Sequence, residues 1–228
     1  YGPAAVPHVS MVTDRVKLMA LFRLNRDILI RTFSLITAFT VMTRIGAGFG
    51  AVTLAANAVL MNFFMIASFY LDGMATAAEQ ITGETIGARQ RSAFERAVKL
   101  TGLWSFGLAL ASVAFFLTFG DAVIGFITTA GDVRSVAETY LIYAALTALT
   151  GALAFHMDGV FIGATWSSEM RNMMLLALAG YLASVAVLVP LFSNHGLWIA
   201  LNVFLGLRGL LLLARLKPKT DQTFTDSQ

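Results

Sequence analysis

The chain has 228 residues, 57% of them apolar and 13% charged, against roughly 45 to 50% and about 25% in soluble domains. With a mean hydropathy of +0.75, this excludes a soluble globular, fibrous or disordered protein and makes lipid the solvent for most of the surface. A formal charge of +3 is too small to point to nucleic acid, and the absence of Cys removes disulfides, thiolate metal sites and cysteine nucleophiles.

A membrane-crossing helix needs about 20 mostly apolar residues, and six such runs follow one another. Residues 10 to 26 come first, with Val12, Val16, Met19 and Phe22 at helical spacing between basic residues. That pattern suits a basic amphipathic helix on a membrane surface, or a linker helix. The first span, near 28 to 49, carries Arg31 and Arg44 towards its ends, where long side chains snorkel to the interface. The second (52 to 71) and third (100 to 119) contain no charged residue. Between them the Gly-rich, charged stretch 72 to 99 is expected to prolong the second helix and turn at Gly87. Residues 120 to 134 are too short to cross and are expected to form an interfacial helix. The fourth span, near 139 to 164, holds His156 and Asp158; the fifth, 172 to 192, is uncharged; the sixth, near 197 to 214, is interrupted by Arg208. The polar tail from Pro218 is expected to be disordered.

The expected fold is therefore an all-α integral membrane bundle of six transmembrane helices. Its parts are a cytoplasmic segment (1–26), a membrane lobe (27–216) and a polar cytoplasmic tail (217–228). Six spans put both termini and the second and fourth loops on one side, which then holds 14 of the 16 basic residues, all but Arg44 and Arg134. Since Lys and Arg accumulate in cytoplasmic loops, the expected orientation is N-in, C-in.

An ionisable group at membrane depth is costly and marks a candidate site. Asp158 leads, with a hydrogen-bonded structural role at the interface as the competing reading. Asp72 ends twenty uncharged residues, and Glu79 follows seven residues later on nearly the same helix face; loop arginines are its expected partners. Phe69–Ala78 (FYLDGMATAA) echoes Phe155–Ala164 (FHMDGVFIGA), a sign of similar roles for Asp72 and Asp158, or of chance in apolar sequence. Burial disfavours a charged carboxylate, so either acid would suit proton coupling. Asn57, Asn62, Tyr70 and Tyr143 are candidates for hydrogen bonds between helices. His156 and Asp158 are two residues apart and do not share a face. His8, His156 and His195 lack metal-ligand spacing. No serine elbow, phosphate loop or paired-carboxylate spacing appears, so neither enzyme activity nor a cofactor is expected.

Together, LNRDILIRTF (Leu24 to Phe33), GAVTLAANAV, DGMATAAEQITGETIGAR and FHMDGVFIGAT, followed by a helix with Pro190, resemble the multidrug and toxic compound extrusion (MATE) family, in particular its DinF-like branch. The resemblance spans nearly the whole chain. It implies one lobe of a twelve-helix transporter, the second, whose partner is a missing N-terminal lobe. It also implies a secondary active antiporter in the inner (plasma) membrane that exports amphipathic, often cationic, small organic molecules, with H+ or Na+ as coupling ion. Two positions depart from the family pattern. Where many members have Ala-Ala-His-Gln, this chain has Ala55, Ala56, Asn57 and Ala58, and Thr165 and Trp166 replace a common Gly-Asp pair. In the DinF-like branch a principal proton-linked aspartate lies in the other lobe, so coupling at Asp158, Asp72, Glu79, Asn57 or Tyr70 is an inference from depth and chemistry. A lipid-linked oligosaccharide flippase and a noncatalytic assembly subunit are the alternatives.

Overall fold

In the computed structural model the backbone is described for residues 15–225 and side chains for residues 25–225. The described residues form five helices: α1 (Arg15–Ala47), α2 (Ala51–Gly87), α3 (Arg91–Ile127), α4 (Gly131–Gly163) and α5 (Ser167–Thr225). All five are long and apolar enough to cross a membrane, as required where water cannot satisfy backbone amides and carbonyls. Six separate helices were expected. The count differs because the last two spans belong to one 59-residue element, α5, interrupted at Ser193 (φ 50, ψ −127).

That interruption reverses the chain. A Cβ on Gly196 would overlap the Leu188 carbonyl, and one on Gly180 would lie 2.5 Å from Leu207. Glu169, in the first turn of α5, sits 3.6 Å from Lys219 and 3.9 Å from Arg215. Pairing of early with late residues makes the two legs of α5 antiparallel. Laid straight, 59 residues would reach about 88 Å at 1.5 Å per residue, far beyond a hydrocarbon core of about 30 Å.

Two other expectations are corrected. Residues 120 to 127 are the last turns of α3, not a separate interfacial helix, with Gly120 packed on Leu141 and Ile124 buried. The tail beyond Pro218 is helical to Thr225, because Thr220 is buried and Phe224 stacks 5.8 Å from Phe94. At the other end, residues 15 to 26 continue directly into the first span as part of α1; residues 10 to 14 of the expected amphipathic helix lie outside the described residues. The turn at Gly87 is where the sequence places it. There the Ala88 amide donates to Glu84, Gln90 to Thr85, and Arg89 takes φ 55. The end of α4 repeats this: Ala164 donates to Val160, Trp166 to Phe161, and Thr165 takes φ 59. Both are left-handed helix terminations that satisfy the last carbonyls.

Helix α4 is the centre. In its most apolar stretch 67% of residues are buried, against 17 to 39% in the other helices, as expected of a helix apolar on all sides. It runs parallel to α2 at very short range. A Cβ on Gly159 would overlap the Ala75 carbonyl, and one on Gly163 would overlap the Glu79 carbonyl and the Thr82 hydroxyl. Gly159 and Gly163, four residues apart, form the small-xxx-small spacing that lets backbones meet where lipid offers no hydrophobic drive between helices. Gly73, its counterpart in the sequence echo, has nothing within 4 Å. Gly159→Leu is therefore expected to abolish the monodisperse folded protein in fluorescence-detected size exclusion, while Gly73→Leu leaves the elution profile unchanged.

Candidate functional site

The charged centre lies where α1, α4 and the second leg of α5 converge. Gly159 turns one side of α4 onto α2, and Asp158, the residue before it, projects into the bundle with 4% exposure. Its Oδ2 accepts from Arg31 of α1 at 2.5 Å and also from the Nη2 of Arg208 on α5. Arg208 is 3% exposed, and its guanidinium lies 5.4 Å from the Phe155 ring centroid, within cation–π range. Two guanidinium groups on one carboxylate leave a net charge of +1, and the Nε of both arginines is buried without a partner.

This cluster answers two readings of the sequence. Arg31 was expected to snorkel; instead it turns inward, with Arg208, onto one acid. Asp158 was expected as an acid available to a coupling ion. In this arrangement its oxygen bridges three helices, so a cation would have to displace an arginine. Sequence distance hid the partners, which lie 127 and 50 residues from Asp158. The available signal was Asp158 and Arg208, charges of opposite sign within apolar runs, neither with an oppositely charged neighbour one helical turn away.

A second ion cluster, which the sequence reading missed, lies nearby. Asp27 on α1 is 5% exposed and accepts from Arg171 at the start of α5 at 2.6 Å and from Arg26 at 3.1 Å. Between Asp27 and Arg31 lies a 220 Å³ cavity floored by Ile28, Phe161, Ile162 and Met170.

Asn57 works at the opposite end of the bundle. Its amide exchanges hydrogen bonds with Asn194, donating at 2.8 Å and accepting at 3.0 Å, while Trp198 Nε1 donates to Asn57 Oδ1 at 2.9 Å. All three side chains are buried. They tie the beginning of α2 to the reversal at Ser193, so Asn57 does hydrogen-bond between helices. Asn62 instead donates to carbonyls of its own helix. Tyr143 meets His195 at 3.3 Å, and Tyr70 is half-buried with its hydroxyl beside Ser112 of α3. His156 faces away from Asp158 and pairs with Thr101 at 2.9 Å.

Asp72 and Asp158 do not share an environment. The shared D-G pair stands 15 residues before the end of α2 but 5 before the end of α4. Asp72 is exposed and Asp158 buried. On α2, Asn62, Met65, Phe69, Asp72, Thr76 and Gln80 form one exposed stripe. Glu79 is half-buried and, among the described residues, has no basic partner within 4 Å; the loop Arg91 pairs with Glu95 and Asp221 instead.

The MatE family model matches residues 28–191. The chain is 38% identical to DNA damage-inducible protein F of Escherichia coli (strain K12), over 85% of this chain and 42% of that protein. To a probable multidrug resistance protein NorM of Bacillus cereus (strain ATCC 14579) it is 26% identical, over 78% of this chain and 40% of that protein. A crystal structure of MATE in the bent conformation superposes with a TM-score of 0.80 at 17% identity, covering 90% of this chain and 46% of that one. The chain thus spans less than half the length of each relative.

Removing one member of a buried ion pair costs about 3 to 5 kcal/mol, whereas replacing the whole set by apolar groups is often neutral. Asp158→Asn should lower unfolding free energy in mixed micelles by about that amount. The combined replacement Arg31→Met, Asp158→Leu and Arg208→Met should recover most of it.

Proposed function

The chain belongs to the MatE family, and we propose that it supplies the second lobe of a secondary active exporter, crossing the membrane six times because α5 crosses twice. Transport rather than catalysis is the function. The observation that carries the reading is the exposed stripe on α2. Asp72, Thr76 and Gln80 share it with Met65 and Phe69, and a carboxylate facing hydrocarbon is costly. A second lobe and a water-filled cavity between lobes give those polar groups a tolerable environment. On α1, Thr40, Thr43 and Arg44 line an open cleft of 500 Å³. Export in this scheme is alternating access between two lobes, of amphipathic organic molecules, coupled to protons or sodium ions.

The topology follows from charge. Ion pairs Arg91–Asp221 (2.5 Å), Glu169–Lys219 (3.6 Å) and Asp27–Arg171 (2.6 Å) gather the α2–α3 turn, the start and end of α5 and the charged part of α1 at one end of the bundle. Basic residues concentrate on the cytoplasmic side of inner-membrane proteins, which gives N-in, C-in. A flippase for lipid-linked oligosaccharides would call for free basic side chains facing the cavity. Of the three basic residues in the spans, Arg31 and Arg208 are committed to Asp158 and Arg44 alone lines the cleft.

In proteoliposomes, the chain joined to a first lobe should export a fluorescent cationic substrate under an imposed proton or sodium gradient, and the gradient that drives it identifies the ion. Asp72→Asn should slow that export at least about tenfold, the loss of about 1.4 kcal/mol of coupling, without changing expression. Export at full rate by the monomeric 228-residue chain alone would overturn the two-lobe reading.

A further inference from the structure

A second groove lies away from the charged centre and from the exposed stripe of α2. It runs between the first turns of α3 and the last turns of α5, encloses 360 Å³, and is floored by Phe94, Val98, Leu213 and Leu216. Its outer end is closed by Phe224 against Phe94 and by the ion pair of Arg91 with Asp221. Arg91 also binds Glu95 at 2.9 Å, so the groove's nearby carboxylates, Glu95 and Asp221, are both engaged by it. Lys99 and Lys217 stand on opposite walls, exposed, with no acidic group within 4 Å among the described residues.

The groove therefore has an apolar floor and a polar end of net charge +1, at which Arg91 holds both carboxylates and Lys99 and Lys217 are left without an ion-pair partner within 4 Å among the described residues. Its walls continue in one direction only. Four residues on from Lys99 is Leu103, 72% exposed, and seven before Lys217 is Leu210, 56% exposed, each on the same helix face as the lysine that precedes or follows it. Those residues belong to the third and sixth apolar spans, and their exposed side chains would face hydrocarbon.

We propose that this groove is a binding site for an anionic phospholipid. Its phosphate sits between Lys99 and Lys217, and its acyl chain runs past Leu213 onto Leu103 and Leu210. A soluble anion would use the lysines but gain nothing from the floor. A zwitterionic lipid would use the floor but bring its own cation to the lysines. Basic pockets between transmembrane helices at the membrane surface commonly hold anionic headgroups, each basic residue contributing about tenfold or less in affinity.

Trp104 is 61% exposed beside Leu103, whereas Trp166 and Trp198 are buried, so fluorescence quenching by brominated lipid reads this surface. With the protein carrying all 228 residues in mixed bilayers, brominated phosphatidylglycerol should be enriched at Trp104 over brominated phosphatidylcholine by about tenfold. The Lys99→Gln, Lys217→Gln double variant should bring that ratio close to one, and the Lys99→Arg, Lys217→Arg variant should keep it. Equal quenching by the two lipids in the unaltered protein would overturn the site, as would enrichment that survives the Gln variant. Loss of the enrichment on adding millimolar inorganic phosphate at constant ionic strength would overturn the lipid as occupant and leave a small-anion site.

Discussion

The backbones of α2 and α4 meet at Gly159 and Gly163, against the carbonyls of Ala75 and Glu79. Apolar side chains gain nothing by leaving lipid for each other, so helices in a bilayer hold together by close van der Waals fit and by polar contacts. The crossing supplies that fit at the axis of the bundle. It makes α4 the helix around which the others are arranged, and it presents the opposite side of α4, with Asp158, to α1 and α5. Substituting either glycine with a larger residue would separate the two backbones and move the acid away from its arginines.

Around that axis the polar side chains act as fasteners at two ends. At one end Asp158 joins α1, α4 and α5 through Arg31 and Arg208. At the other, Asn57 joins α2 to Asn194 and Trp198 beside the reversal in α5. Both fasteners hold the second leg of α5, the part that follows the broken backbone at Ser193. Groups of this kind are costly to desolvate and costly to separate. The interior is thereby tied, while Asp72, Thr76 and Gln80 on α2 remain outside it.

The departures from the sequence reading share a cause. Residues 120 to 127 looked too short to cross because they were judged as a separate segment; they are helical because α3 simply continues over Leu141. The residues after Pro218 look polar, but Thr220 and Phe224 find partners on α3 and within their own helix. Glu79 lacks a partner since Arg91 is taken by Glu95 and Asp221, one of which is 130 residues away. In each case a long-range contact outweighed local composition.

Hydropathy and charge by themselves determined that this chain spans a membrane, where its apolar runs lie, and that a turn falls after Gly87. These properties are local: transfer of each residue to lipid depends on its own side chain, and a helix termination depends on a few adjacent residues. Only the tertiary structure decided that two of the runs form one reversed element, that one D-G pair is a buried junction and the other an exposed surface, and that Asp158 is held by Arg31 and Arg208. A carboxylate in an apolar run reads the same whether it faces solvent, lipid or an arginine. The cost of leaving a charge unpaired in lipid requires a partner, and the folding of distant helices selects it.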